Sequence, residues 1–134
     1  MKQLLIASTI ALALLLAGCA NRKVGTFVNY NAICRADSNG SASCHSGKWN
    51  FDITSDKKTC TIDGYYQSFG STYTQKEGAL DLYIIEGLMV AEHRRLNIMP
   101  GRPVNGEIRI HRDFRCPAEP ADGYIFEISY MYKD

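Results

Sequence analysis

Tyr124-Ile-Phe-Glu-Ile-Ser-Tyr-Met-Tyr132 decides the fold class. Tyr124, Phe126, Ile128, Tyr130 and Tyr132 fall on one side of an extended chain, and Ile125, Glu127, Ser129 and Met131 on the other. An apolar repeat of two is the period of a β-strand, in which successive side chains point to opposite faces. With one apolar row and one mixed row, this segment is expected to be a central strand.

The same period recurs upstream. Glu107 to Phe114 places Ile108 and Ile110 inward and Glu107, Arg109, His111 and Asp113 outward. Leu80, Leu82 and Ile84 alternate with Asp81, Tyr83 and Ile85, the pattern of a half-buried strand. Phe27–Arg35, Ser43–Ile53 and Thr59–Ile62 read as further strands, with Asp63-Gly64 as a two-residue hairpin turn leading into Tyr65–Ser68. Asn105-Gly106 marks another turn, and Pro100-Gly-Arg-Pro103 a break. The ambiguous stretch is Glu86–Met99. A helix near 87–97 would put Met89, His93 and Leu96 on one face and make the fold α+β, whereas a hairpin after Glu86-Gly87 keeps it all-β, the preferred reading. Some seven or eight short strands then make an all-β domain over 26–134, a small antiparallel sandwich or open barrel.

At the other end of the chain, Lys2 precedes an apolar run from Leu4 that closes on Leu16-Ala-Gly-Cys19. As a helix, Leu4–Ala17 covers about 21 Å, short of the roughly 30 Å hydrocarbon core, so a permanent span is disfavoured. A cation, a short apolar run and small residues are the layout of a secretory signal. The ending on cysteine resembles a bacterial lipoprotein signal peptide. That resemblance covers residues 1–19 only. It implies removal of 1–18, a diacylglycerol and usually an N-acyl chain on Cys19, and a short tether over 19–25. Ala20, where an aspartate would mark inner-membrane retention, implies the outer membrane.

Without Cys19, four cysteines remain: Cys34, Cys44, Cys60 and Cys116. An even number in a small exported domain implies disulfides, with three pairings to choose from. Cys34 and Cys44 flank Asp37-Ser-Asn-Gly-Ser41, where a loop with Gly40 in the left-handed region would set the two cysteines opposite each other. Cys60 is then left for Cys116. Their spacings form no zinc knuckle, and the histidines His45, His93 and His111 form no ligand motif. No metal or other cofactor is expected.

The chain carries 15 Lys and Arg against 14 Asp and Glu. Lys2 leaves with the signal, so the mature domain is formally neutral, which argues against a nucleic-acid partner. The spread is uneven, with Arg94, Arg95, Arg102, Arg109, Arg112 and Arg115 against only Glu107 and Asp113 within residues 93–115. Arg94, Arg95 and Arg102 are candidates for an anion-facing patch around the Pro100 turn. Tyr65, Tyr66, Phe69 and Tyr73 lie in a Gly/Ser/Thr-rich stretch read as a loop, where amphipathic aromatics make good anchors.

Catalytic motifs are missing from the sequence. There is no Gly-x-Ser-x-Gly elbow, and carboxylate pairs such as Asp81 with Glu86 arise by chance in any domain with this many acids. The expectation is a non-enzymatic binding or structural module of the bacterial envelope. Its partners would be the membrane, through the lipid, and an envelope protein or anionic polymer. An immunity or inhibitor lipoprotein, or a peptidoglycan or glycan hydrolase, are the alternatives.

Overall fold

The computed structural model describes residues 22–47, 49–56, 58–67, 74–98 and 107–133. The signal segment, Cys19, Phe69, Tyr73, Arg102 and the Asn105-Gly106 turn lie outside them.

Among the described residues the chain forms one short 3-10 turn, Tyr30–Ala32, and eight strands: β1 (Cys34–Arg35), β2 (Ala42–His45), β3 (Trp49–Ser55), β4 (Thr59–Gln67), β5 (Thr74–Glu86), β6 (Met89–Ile98), β7 (Glu107–Arg115) and β8 (Gly123–Lys133). They make two antiparallel four-stranded sheets, β1-β8-β5-β6 and β2-β3-β4-β7. The fold is a small all-β sandwich.

The core between the sheets is built by the alternation read in the sequence. Tyr124 and Phe126 from β8, Leu80, Leu82 and Ile84 from β5, Phe51 and Ile53 from β3, and Ile108, Ile110 and Phe114 from β7 meet there. Phe51 and Phe126 pack ring against ring across the sheets, centroids 5.3 Å apart.

The preferred hairpin over Glu86–Met99 is the one that forms: Gly87, at φ +60°, and Leu88 turn β5 into β6, Glu86 pairs with Met89, and Met89–Ile98 is strand rather than the alternative helix. Other local readings are corrected. The stretch Ser43–Ile53 is two strands joined by a turn, with His45 opposite Asn50. Asp63-Gly64 is no turn, since β4 runs straight through it against both β3 and β7. Gly64 is required there because β3 comes so close that a Cβ would lie 1.8 Å from the Asn50 carbonyl oxygen. Phe27–Arg35 is mostly strap rather than strand, with one bridge from Phe27 to Met89, the 3-10 turn and two residues of β1.

That strap explains a further correction. From Leu80 to Ile85, β5 is buried on both faces, and the strap covers Tyr83, Ile85, Val90 and Ile125 on the side away from the main core. A register shift opposite Ile84/Ile85 turns Val90 toward this second core, while Glu92 stays on the main-core side. Gly25 N–H donates to the Val90 carbonyl, Val28 N–H to Leu88, and Val90 N–H to Thr26. Arg22 N–H donates to the Tyr83 hydroxyl. Residues 22–25, read as tether, are therefore part of the domain.

Cys34 bonds to Cys44 and Cys60 to Cys116. The first pairing is the expected one, but its geometry differs. Gly40 adopts φ +87° and Asp37 pairs with Ser41 as anticipated, yet β1 and β2 then diverge into different sheets. The disulfide consequently clips the two sheets together at their edges. β8 lies between β1 and β5, but β1 pairs only with Gly123 and Tyr124, so β8 is central only at its start.

Candidate functional site

Strand periodicity and register together create a polar array on the outer face of the second sheet. Because side chains alternate, Ser43 and His45 of β2, Asn50 and Asp52 of β3, Asp63 and Tyr65 of β4, and Arg109 and His111 of β7 all point the same way. Register aligns them into two rows that cross the sheet: His45, Asn50, Tyr65, Arg109, and Ser43, Asp52, Asp63, His111.

The first row is linked along its length, and the second is linked as two pairs. His45 Nδ1 lies 2.5 Å from Asn50 Oδ1, Asn50 Nδ2 donates to the Tyr65 hydroxyl at 2.7 Å, and the Arg109 guanidinium sits 5.8 Å over the Tyr65 ring. In the second row Ser43 Oγ donates to Asp52 at 2.9 Å, and His111 Nδ1 lies 3.3 Å from Asp63. Asp52 and Asp63 stand directly opposite each other, a repulsive placement that those two contacts offset. His45 Nε2, 2.7 Å from Ser43 Oγ, ties the rows together. Below them Thr61 donates to Asp113.

The Ser43–His45 contact has the right atoms for a nucleophile and base, but Ser43 Oγ also donates to Asp52, which competes for the proton that a general base would take.

A second cluster lies on the outer face of the first sheet, beside Tyr83. Asp81 is 3% exposed and accepts from Arg95 Nε at 2.9 Å, Arg95 Nη2 at 3.1 Å and His93 Nε2 at 2.7 Å. Burial pushes its carboxyl up, but the hydrogen bonds from Arg95 and His93 outweigh that and hold it below the ordinary aspartate value. His93 stacks on Tyr83, ring centroids 4.7 Å apart, and the Tyr83 hydroxyl donates to Glu127 at 3.3 Å. Burial raises the Tyr83 phenol. This cluster is tied up in structural bonds.

Hollows flank the described part of the domain. One, of about 280 Å3, is lined by the Cys60–Cys116 bridge, Pro117, Pro120, Ala121 and Tyr124. Another, of about 570 Å3, lies along the β1, β2 and β8 edges and is lined by Arg22, Ile33, Cys34, His45, Trp49 and Phe126.

The sequence-derived candidates separate. Tyr65 belongs to the polar array, but it and Tyr66 are in strand β4, not a loop, and Tyr66 is core at 2% exposure. Arg94 and Arg95 do not form one patch. Being adjacent on a strand they point to opposite faces: Arg95 binds Asp81, while Arg94, opposite Leu82, turns toward the sheet interior and pairs with Glu92 at 2.8 Å. Phe69, Tyr73 and Arg102 lie outside the described residues. The array itself was missed as a site. Its signal was a polar pair spaced by two on each of four strands, and only register shows that the pairs align.

Comparison of the chain with protein-family models, with curated proteins and with solved structures returned no match.

Proposed function

We propose that this chain is a lipid-anchored, non-catalytic binding module of the bacterial envelope, holding a protein partner on the exposed face of its second sheet. The observation that carries the reading is the array His45–Asn50–Tyr65–Arg109 with Ser43–Asp52 and Asp63–His111 beside it. Side chains already fixed by one another lose little conformational freedom on contact, so the face is pre-organised for recognition. Tyr65 and Arg109 are residue types that dominate interfaces.

Charge narrows the partner. The outward positions carry Asp52, Asp63, Glu107 and Asp113 against Arg109 and Arg115. Such a face favours a protein with a basic contact surface over an anionic polymer. Within that class it suits an immunity or inhibitor lipoprotein acting on a basic effector.

Location rests on the cysteine-ending signal and on two disulfides, which persist in an oxidising compartment. The outer membrane is the proposed site, from Ala20. Cys19→Ala should release the protein from a washed membrane pellet, and its retention there would end the lipid-anchor reading. For the binding face, Tyr65→Ala with Arg109→Ala should abolish cross-linking to the envelope partner captured by the wild type, with the circular dichroism spectrum unchanged. Undiminished cross-linking would remove the array from the interface.

A hydrolase is the second reading, favoured only by the 2.7 Å Ser43–His45 contact. Ser43→Ala tests it: loss of peptidoglycan or glycan cleavage would support catalysis.

A further inference from the structure

All the exposed large apolar side chains among the described residues fall at one end of the domain: Val24 (59% exposed), Phe27 (81%), Tyr30 (54%) and Leu88 (46%). Three are on the strap and the fourth is on the β5–β6 turn to which the strap is hydrogen-bonded through Val28 N–H and the Leu88 carbonyl. Folding does not require them there. Val28, next to Phe27, supplies the buried contact of this segment, and Phe27 contributes only its backbone to the bridge with Met89. Val24 stands at the tip of a turn that Gly25, at φ +91°, makes and Thr26 closes onto the Lys23 carbonyl. Single exposed apolar residues are ordinary, whereas a group confined to one end marks a contact surface.

The chain's own covalent geometry names what covers it. Cys19 is three residue steps before Arg22, and three extended steps reach at most about 11 Å. Arg22 is fixed to the domain through Tyr83 and through Glu127, 3.4 Å away. From those contacts the strap runs to the β5–β6 turn, where Gly25 bonds to Val90 and Val28 to Leu88, so an acyl group on Cys19 keeps the strap and the turn it reaches close to the bilayer. Lys23 precedes Val24 directly and Arg35 stacks 4.8 Å over Tyr30, while Glu86 and Asp122 lie by the turn. Apolar and aromatic residues edged by long cations suit the headgroup–acyl boundary, where such side chains sink about 5–10 Å.

We infer that Val24, Phe27, Tyr30 and Leu88 insert into the phospholipid surface beside the lipidated Cys19, fixing the orientation of the domain on the membrane. The inference rests on the lipid-anchor reading. It stands the β5–β6 hairpin on its turn and leaves the outer face of the second sheet open to a partner. The alternative occupant, another protein, is an outcome of the test.

The test uses the full lipidated protein in phosphatidylethanolamine–phosphatidylglycerol vesicles containing acyl-brominated lipid. The sole native tryptophan, Trp49, lines the same hollow as Arg22 and is therefore replaced, Trp49→Phe, in every sample. On that background Phe27→Trp and Leu88→Trp should each give a blue-shifted emission that brominated lipid quenches by about half or more. Equal urea midpoints would show that both variants keep the fold. Protein that floats with the vesicles while both added emissions stay unquenched would overturn the inference and leave the anchor standing. Protein that does not float would overturn both.

Discussion

Asp81 on β5 grips Arg95 on β6 with both carboxylate oxygens, although the carboxyl is almost wholly buried and the arginine half exposed. The pair, with His93, ties the covered outer face of the first sheet to its edge strand. An unpaired buried carboxylate is expensive. Arg95→Ala should cost roughly 1–3 kcal/mol, less than a fully buried pair because Arg95 is solvated, measured by urea denaturation at neutral pH. Asp81 has its carboxyl depressed below the ordinary value, so its stabilisation is present above that value and is lost as pH falls through the depressed one. The difference between Arg95→Ala and wild type should therefore shrink below about pH 4.

Tyr124 gives the opposite pH limb. Its buried hydroxyl donates to the Gly40 carbonyl at 2.5 Å, and burial, with Asp37 nearby, pushes the phenol up to about 12. The unfolded phenol titrates near 10, so stability is complete below that pH and declines as pH rises toward 12, by roughly 2–3 kcal/mol. Tyr124→Phe should cost about 1–2 kcal/mol at neutral pH and flatten this alkaline decline.

Gly64 is a backbone-contact glycine. Since its Cβ would meet the Asn50 carbonyl oxygen, Gly64→Ala should cost about 3 kcal/mol or more, or prevent folding. Gly47, with nothing within 4 Å of its Cβ position, is the control, and Gly47→Ala should stay within about 0.5 kcal/mol. Thermal melts of the two variants decide the matter.

The disulfides should differ in weight. Cys60–Cys116 closes a separation of 56 residues and Cys34–Cys44 one of 10. Loop-closure entropy assigns about 4 kcal/mol to the first and roughly 2–3 to the second. Paired Cys→Ser substitutions compared by urea midpoint should show that order.

Arg94 and Arg112 face inward on β6 and β7, the two edge strands at one side of the sandwich, opposite Leu82 and Ile62. Inward charge on an edge strand opposes pairing with another chain. Arg94→Val should leave stability equal or higher and raise the self-association seen by analytical ultracentrifugation. An unchanged monomer would assign Arg94 to local pairing with Glu92 alone.

The sequence by itself determined the all-β class and the inner rows, because strand periodicity is local: Ile108 with Ile110, and Tyr124 with Phe126, face the core as their alternation requires. Cysteine count and spacing also reached the two disulfides. Register was beyond it, being set by contacts distant in the chain. Gly64 read as a turn because Asp-Gly favours one locally, yet the flanking strands hold β4 straight. β5 read as half-buried because nothing local says that residues 22–33 fold back over Tyr83 and Ile85. Arg94 and Arg95 part by the same local alternation once Met89–Ile98 is strand, whereas Ser43, His45, Asn50, Asp52, Asp63, Tyr65, Arg109 and His111 become one array only when four strands align.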